Sequence, residues 1–337
     1  MRSEILNYKI ENVIGSGGMG IIYKARHAGI DRIVAIKEID PSFLKDIQIR
    51  NRFKQEASIL AKLDHPNIVR LYEFYEDGDD LFLIMEYVPG MNLGDYIATV
   101  SGPIPEERAL RIFRKMLSAF KYAHSKDVIH RDVKPFNMMI AANEEVKILD
   151  FGIAKLKTSN ISYTNTGQKI GTPRYMSPEQ VRGEELSQQS DIYCLGVILW
   201  QMLTGREPYK EEKSEFNISH KIVYEVLPDP RTVYPSISEH LCRVIQLCCE
   251  KDLINRFKDI NAIENFLLQP PPDKKKFSIP EKRRPAEIIP APATVRRGAT
   301  VTTVGCLKQI GKSILILVII IIAFVIILLI ALNNAFK

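Results

Sequence analysis

The sequence predicts an α+β fold of two lobes, in which a small β-rich lobe with one main helix precedes a larger, mostly α-helical lobe, plus one C-terminal transmembrane helix. Three observations lead to this prediction. Short segments that alternate polar and apolar residues fill the beginning of the chain, as expected for half-buried strands. Long helical patterns dominate from Pro105 onward, and an uninterrupted apolar run of 19 residues occupies positions 314–332. The chain therefore divides into a main domain, residues 1–269, and a membrane-associated end.

The elements of the small lobe follow one another in a clear order. Alternation predicts strands at 8–13, 20–25, 33–39, 68–74 and 81–86, and helical periodicity predicts one helix at 51–63. A further strand-rich stretch at 128–149 interrupts the helical patterns of the second part. We place the small lobe at about 1–87 and the large lobe at about 88–269.

The end of the chain has a different composition. Residues 270–313 form a basic, proline-rich linker, with ten Lys or Arg against three Asp or Glu within 270–312, which is typical of an extended tether. Its basic clusters either contact anionic lipid headgroups or only keep the tether solvated. The run at 314–332 is close to the roughly 20 apolar residues that cross a bilayer as a helix, and the preceding cations indicate a cytoplasmic side. With only a short tail at 333–337, we expect a single-pass C-terminal anchor, a cytoplasmic main domain and no domain beyond the membrane.

Charge and cysteine usage exclude some classes of function. The net charge is +6, but the linker carries +7 and Lys337 one more, so residues 1–269 carry −2. Domains that bind nucleic acid usually have a basic face, so we expect no nucleic-acid partner. The five cysteines include no CxxC pair, which predicts buried thiols rather than a zinc or redox site. Residues 1–11 lack the apolar core of a signal peptide.

A glycine-rich segment is the first candidate binding element. Residues 15–22 read Gly15-Ser16-Gly17-Gly18-Met19-Gly20-Ile21-Ile22. Both flanks predict strands, whereas a dinucleotide-binding turn leads into a helix, so we predict a hairpin. Glycines allow the backbone N–H groups of such a hairpin to approach phosphate closely.

A lysine follows on the next predicted strand. Val34-Ala35-Ile36-Lys37 places a cation near the strand end, where it can pair with phosphate oxygens, and small Ala35 leaves room for a flat base. On the following predicted helix, Glu56 is in phase with Ile59, Leu60 and Leu63, which we interpret as the inward face. A buried carboxylate requires a partner, and Lys37 is the natural candidate.

The most specific pattern lies in the large lobe. His130-Arg131-Asp132-Val133-Lys134-Pro135-Phe136-Asn137 is followed, after an apparent hairpin, by Asp150-Phe151-Gly152. Phosphoryl transfer requires a group that orients the attacking hydroxyl, a cation for the transferred phosphoryl group, and oxygen ligands for Mg²⁺. Asp132, Lys134 and the pair Asn137 and Asp150 supply these roles.

These motifs resemble those of the eukaryotic-like (Hanks-type) Ser/Thr protein kinases, closest to the membrane-attached members in bacteria, over about residues 5–268. The resemblance implies a two-lobed protein kinase fold that binds ATP with Mg²⁺ or Mn²⁺. Asp132 matches the catalytic base, Lys134 the phosphate-contacting lysine characteristic of Ser/Thr kinases, and Asn137 and Asp150 the metal ligands. The implied ATP-binding positions are Ile14, Gly15, Ser16, Gly17, Gly18, Met19, Gly20, Ile22, Ala35, Lys37, Glu56, the gatekeeper Met85, the hinge residues Glu86 to Val88, and Met139.

Residues 171–179 resemble the end of a kinase activation segment. The resemblance places Thr172 beside Asp132 and Lys134, pairs Glu179 with Arg256, and gives Asp191 the task of bracing the catalytic loop. Arg131 would receive the phosphate of a phosphorylated activation loop, for which we favour Thr164 and Thr166. Phe136 stands where many kinases that prefer basic substrates carry Glu, so we predict no basic preference.

The sequence therefore predicts a membrane-anchored kinase that transfers the γ-phosphate of ATP to Ser or Thr of proteins. Autophosphorylation between neighbouring molecules is expected to activate it. Three alternatives are a pseudokinase scaffold, a small-molecule kinase and a membrane adaptor. Intact Lys37, Asp132 and Asp150 argue against the first, and Lys134 with residues 172–179 against the second. The third is compatible with catalysis.

Overall fold

The computed structural model describes residues 2–17, 20–45, 47–141, 143–151 and 173–269. Within these ranges the side chains of Phe43, Ile49, Arg52 and Glu56 lie outside the description. The chain divides into two compact units, Met1–Lys274 and Lys275–Lys337. The elements below all belong to the first unit, and the predicted linker, transmembrane run and tail lie outside the described residues.

The small lobe is built on one six-stranded antiparallel sheet. Its strands occur in the order β1-β2-β3-β4-β6-β5. They span Glu4–Ile5 (β1), Tyr8–Gly17 (β2), Gly20–His27 (β3), Ile33–Ile39 (β4), Leu71–Asp77 (β5) and Asp80–Glu86 (β6). All five predicted strands are present, although β5 begins three residues later than predicted. The two-residue strand β1 was not predicted, because two residues are too few to show an alternating pattern.

One helix, α1 (Ile47–Leu60), packs against this sheet. Its apolar face consists of Phe53 and Ala57, both 3% exposed, in a cluster with Leu81 and Leu83 of β6. The predicted helix at 51–63 was therefore placed about four residues too late. The predicted inward face is wrong at Ile59, whose side chain is 46% exposed. Leu63 is buried as predicted, but it lies beyond the end of the helix.

The large lobe is mostly helical. Its helices are α2 (Leu93–Tyr96), α3 (Glu106–His124), α4 (Pro178–Arg182), α5 (Gln188–Thr204), α6 (Glu215–Tyr224), α7 (Glu239–Cys248) and α8 (Ile260–Leu268). Helix α5 is buried on nearly every side, since its sequence from Ile192 to Trp200 has no charged or amide side chain. A Cβ added at Gly196 of α5 would lie 2.4 Å from Cβ of Cys248, so only glycine allows α7 to approach this closely.

A small three-stranded sheet joins the lobes. It consists of β7 (Met91–Asn92), β8 (Met138–Ile140) and β9 (Val146–Ile148), and β8 and β9 form the predicted antiparallel hairpin. The segment that follows α1 is hydrogen bonded to β9: Val69 N donates to Ile148 O, and Ile148 N donates to Asn67 O, both at 2.9 Å. The Asn67 side chain also donates to Val146 O at 2.9 Å. We call these contacts between residues 67–69 and β9 the inter-lobe seam.

One further prediction concerns the described ranges. Cys194, Cys242, Cys248 and Cys249 are buried free thiols, as predicted, and burial raises the pKa of each. None of the helices within the described ranges is long and apolar enough to cross a membrane.

Candidate active site

The glycine-rich segment is a hairpin, as predicted. Strands β2 and β3 pair with Gly15 opposite Ile22, Ser16 opposite Ile21 and Gly17 opposite Gly20. Gly18 and Met19, at the tip, lie outside the described residues. The glycines therefore join two strands rather than a strand and a helix, which is the distinction from a dinucleotide-binding turn.

Gly20 is the glycine that the backbone requires most strongly. Its φ is +138°, and a Cβ at this position would lie 1.8 Å from the carbonyl oxygen of Glu38 on the neighbouring strand. At Gly17, by contrast, a Cβ would have nothing within 4 Å. Gly20 thus fixes how β3 leaves the hairpin, while Gly17 keeps the surface free of side chains.

The predicted base-binding positions lie on neighbouring strands of the large sheet and on the small sheet. Ala35 on β4 is directly opposite Met85 on β6, and Ile22 on β3 is opposite Lys37. Met139 lies on β8, in the small sheet that joins the lobes. Glu86, where the chain leaves β6, is held by Lys147 of β9, whose Nζ lies 2.6 Å from its Oε1. The predicted hinge from Glu86 to Val88 is therefore fixed at its beginning by an ion pair to the small sheet.

Lys37 of the small lobe pairs with Asp150 of the large lobe. Lys37 is 5% exposed, and its Nζ donates to Asp150 Oδ2 at 2.8 Å. Burial alone would raise the pKa of Asp150, but the charge and hydrogen bond of Lys37, with contributions from His130 and Lys134, lower it below its ordinary value. Asp150 is therefore ionised when Lys37 is near it. The predicted pairing of Lys37 with Glu56 stays a prediction, because the Glu56 side chain lies outside the description.

The catalytic-loop residues converge on one carboxylate. Lys134 Nζ donates to Asp132 Oδ2 at 2.8 Å, and Asn137 Nδ2 donates to Asp132 O at 2.8 Å and to Oδ2 at 3.0 Å. A 3₁₀ turn, Pro135–Asn137, brings Asn137 back toward Asp132. The side chains of Asp132 and Lys134 are each 38% exposed, so both face the solvent side of the loop. Asp132 is consequently fixed in orientation and open to a substrate.

The buried ring of His130 holds this loop in place through hydrogen bonds to the backbone. It is fully buried, and its ring packs against both Phe120 and Phe151, at centroid distances of 5.6 and 4.6 Å. Its Nδ1 accepts from Asp132 N at 3.3 Å, so Nε2 is the nitrogen that donates, at 2.8 Å, to Leu149 O. One ring therefore connects the backbone of Asp132 to the residue before Asp150.

Asp191, at the N-terminal end of α5, braces the loop as the resemblance implied. Its carboxylate accepts from His130 N at 2.9 Å, from Arg131 N at 3.0 Å and from His124 Nε2 at 2.8 Å. Arg131 has φ +67° and Asp150 has φ +55°. Left-handed backbone is uncommon for residues other than glycine, and its occurrence here at two site residues indicates that the surrounding bonds impose it.

The end of the activation segment is anchored by a buried ion pair. Arg256 Nη1 lies 2.7 Å from Glu179 Oε1, and both residues are 4% exposed, which confirms the expected pairing.

Gln180 adds a contact that sequence reasoning missed, because its Nε2 donates to Arg131 O at 2.7 Å. Gln180 is also the N3 residue of a capping box with Ser177 at the start of α4. The Ser-x-x-Gln spacing indicates this cap, but it does not indicate the contact with Arg131. Thr172 lies outside the described residues.

The donors present fit a single Mg²⁺ that retains waters and substrate phosphates as its other ligands. The two bonds that Asn137 makes to Asp132 both use Nδ2, which leaves Oδ1 for a cation. Asp150 uses Oδ2 toward Lys37, which leaves Oδ1. Asn137 O accepts from Leu149 N at 2.9 Å, so the two predicted ligands lie close together. Mg²⁺ needs only one or two protein ligands of this kind. Among the described residues there is no cluster of three or more His, Cys, Asp or Glu arranged for a metal.

Comparison with known proteins agrees with this geometry. The family model described as protein kinase domain matches residues 8–267. Serine/threonine-protein kinase PrkC of Bacillus subtilis is 36% identical over 307 residues, covering 88% of this chain and 47% of that protein. Probable serine/threonine-protein kinase PknB of Lactococcus lactis is 38% identical over 257 residues, covering 76% of this chain and 40% of that protein. The crystal structure of the Mycobacterium tuberculosis PknI kinase domain covers 79% of this chain and 99% of its own, with a TM-score of 0.62 and 23% identity, and supports the fold.

The chain belongs to the protein kinase family, in its eukaryotic-like Ser/Thr group. Members of this family use ATP and a divalent cation, typically Mg²⁺. The two-lobed fold predicted from the sequence is thus confirmed. The chain spans about half the length of the curated relatives that it matches.

Proposed function

We propose that this protein is a Ser/Thr protein kinase that transfers the γ-phosphoryl group of ATP to hydroxyls of protein substrates. The observation that carries the proposal is the convergence of Lys134 and Asn137 on Asp132, beside the buried pair of Lys37 and Asp150. Lys134 supports Ser/Thr specificity through the family resemblance.

Each residue of this constellation has a separate task. Asp132 orients the substrate hydroxyl and accepts its proton, while the oxygen forms a bond to the γ-phosphorus and the bond to the β-phosphate oxygen breaks. Lys134, next to Asp132, contacts the transferred phosphoryl group. Lys37 holds phosphate oxygens from the other lobe. Asn137 and Asp150 would hold Mg²⁺, which when bound neutralises developing phosphate charge.

The proposal extends to location and regulation. Residues 314–332 are proposed to span a membrane, with the kinase domain on the cytoplasmic side, because the run is long and apolar and cations precede it. Neighbouring molecules are proposed to phosphorylate one another on the activation loop, where Arg131 would receive the phosphate. No nucleic-acid partner is proposed.

The first prediction tests the chemistry directly. Asp132→Asn keeps the shape of the side chain but removes its charge and its ability to accept a proton, so we expect kcat to fall at least about a hundredfold. The measurement is transfer of labelled phosphate from ATP and Mg²⁺ to a general protein substrate. Asp31→Asn is the matched control, because Asp31 is 82% exposed on the small lobe and should leave the rate unchanged.

Two results of this experiment would contradict the proposal. Equal labelling by the parent protein and Asp132→Asn would show that Asp132 is no catalytic base. Labelling of an amino sugar or another small hydroxyl compound in preference to protein would favour a small-molecule kinase.

A further inference from the structure

Gln180 of α4 uses both polar atoms of its side-chain amide in hydrogen bonds to two different parts of the large lobe. Its Oε1 accepts from Ser177 N at 2.8 Å, within the capping box that starts α4. Its Nε2 donates to Arg131 O, 49 residues away in the catalytic loop, at 2.7 Å. A helix cap needs only the first of these bonds, and the chemistry proposed above uses neither.

The second bond acts on the peptide group that joins Arg131 to Asp132. Arg131 O is the oxygen of this group, and its N–H is that of Asp132, which donates to His130 Nδ1 at 3.3 Å. Because a peptide group is planar, bonds to its oxygen and to its N–H together fix its orientation. At 2.7 Å the bond from Gln180 is the shorter of the two, so it supplies the larger part of this restraint.

The backbone just before Asp132 is in a conformation that requires restraint. Arg131 has φ +67°, which is uncommon for a residue other than glycine and persists only where its surroundings impose it. Asp191 of α5 accepts from Arg131 N at 3.0 Å, and Gln180 of α4 holds Arg131 O. Two helices therefore hold Arg131, one at its N–H and the other at its carbonyl oxygen.

The other contacts of Asp132 act further along the residue. Lys134 Nζ donates to its carboxylate, and Asn137 Nδ2 donates to its carboxylate and to its carbonyl oxygen. These bonds do not restrain the peptide group that precedes Asp132. Reacting groups must meet at about 3–3.5 Å with aligned geometry, so a small turn of that peptide group moves the carboxylate out of line with a substrate hydroxyl.

We infer that Gln180 is a positioning residue for phosphoryl transfer: by donating to Arg131 O, it sets the direction in which Asp132 presents its carboxylate to the substrate hydroxyl. The inference rests on the proposed function and adds to it a residue that acts through Asp132. Ser177, which is bonded to the same amide, directly precedes α4. Gln180 therefore also connects the segment that ends at Ser177 to the catalytic loop.

The test compares full-length variants in a single turnover, with labelled ATP, Mg²⁺ and a general protein substrate. Gln180→Glu keeps an oxygen for Ser177 N, but its ionised side chain has no hydrogen to donate to Arg131 O. Gln180→Met has neither group. Both variants should lower the rate of phosphate transfer about tenfold, because small displacements of a reacting group are costly, while the Kd of ATP stays within about twofold of the parent value.

Gln189 of α5 offers a matched control. Its Nε2 donates to Leu253 O at 2.8 Å and to Phe257 O at 3.1 Å, so Gln189→Glu also removes amide bonds to backbone oxygens of the large lobe. Its transfer rate should equal that of the parent, even where urea unfolding shows a comparable loss of stability. An equal fall of the rate in Gln189→Glu and Gln180→Glu would overturn the inference, because general loosening of the lobe would then explain both.

A second comparison tests whether Gln180 acts through Asp132. The residual transfer of Asp132→Asn no longer uses this carboxylate, so adding Gln180→Glu to that variant should change the rate by less than about twofold. The inference is overturned if the loss persists in that background, or if Gln180→Glu alone keeps the parental rate. Failure of the proposed function is distinguishable, because Asp132→Asn would then match the parent whatever residue occupies position 180.

Discussion

Single residues of the large lobe carry charges that burial makes expensive unless they are paired. Glu179 and Arg256 are both nearly inaccessible, and Arg256 also donates to backbone oxygens of Gln189 and Glu250. Burial raises the pKa of Glu179, but the hydrogen bond and charge of Arg256 outweigh it and lower the pKa below its ordinary value. The pair therefore stabilises the folded state most at pH values at which Glu179 is ionised.

The second prediction follows from this pair. Arg256→Met should lower the free energy of unfolding at pH 7 by about 3–5 kcal/mol, because an unpaired buried carboxylate remains. The matched control Arg231→Met breaks an exposed pair with Asp229 and should cost at most about 1 kcal/mol. Urea unfolding of both variants checks the difference, and equal losses would contradict it.

The pH dependence of the same variants has a defined sign. In the parent protein the folded-state pKa of Glu179 is lowered, so its contribution is present above the unfolded pKa, near 4.5, and is lost as pH falls through the folded value. In Arg256→Met burial is opposed only by the weaker hydrogen bonds from the backbone and Ser190, so we expect the folded pKa of Glu179 to rise above the unfolded one. The deficit of the variant should therefore shrink as the pH is lowered from 7 toward 4.5. A deficit that does not change with pH would contradict the assignment.

The sequence could indicate candidate site residues because few amino-acid types can perform each role that phosphoryl transfer requires. The sequence predicted Asp132, Lys134 and Asn137 as one group, and the structure brings their side chains together, while their catalytic roles stay a prediction. The sequence could not predict the contact of Gln180 with Arg131 O or the contact of His124 with Asp191. They join segments 49 and 67 residues apart through a backbone oxygen or a buried nitrogen, and no local pattern records such pairings.

At the scale of elements, packing distances decide which residues are allowed. Helix α5 is covered on nearly every side, and Gly196 lets the end of α7 approach its backbone. The periodicity of α1 was misread because Ile59 is apolar yet exposed, whereas Ala57, a small residue, is on the buried face. Apolar character alone does not fix the phase of a helix of 14 residues.

The third prediction concerns the contact between α5 and α7. Gly196→Ala places a methyl group 2.4 Å from Cβ of Cys248 and 2.8 Å from Sγ of Cys249, so the helices must separate. Overpacking of this kind costs about 1–3 kcal/mol. The midpoint of urea unfolding should fall accordingly, while Gly17→Ala, which has open space around the added group, should leave it nearly unchanged. An unchanged midpoint in Gly196→Ala would show that α7 can move at no cost.

At the scale of the whole molecule, the proposal to be tested is that residues 314–332 attach the kinase domain to a membrane. The fourth prediction is that removing residues 314–337 releases the protein from the membrane fraction without altering kcat/KM for a peptide substrate. Autophosphorylation should become slower at low protein concentration, because neighbours confined to a membrane meet more often than molecules in solution. Replacing residues 314–332 with 19 alternating Ser and Gly residues is a control that keeps the length of the chain. Retention of the shortened protein in membranes would point to the basic linker as the attachment.

Among the places where the described residues join the two lobes, two lie apart from each other and have a mechanical consequence. One is the hinge after β6, where Glu86 is tied to Lys147, and the other is the inter-lobe seam between residues 67–69 and β9. Because the hinge and the seam fix two points of the small lobe, it can rotate about the line through them more easily than it can slide along the large lobe or separate from it. We expect rotation of this kind to move the glycine hairpin relative to the catalytic loop, while the inter-lobe seam stays intact. Product release should accordingly occur along one direction, past the glycine hairpin, rather than by separation of the lobes.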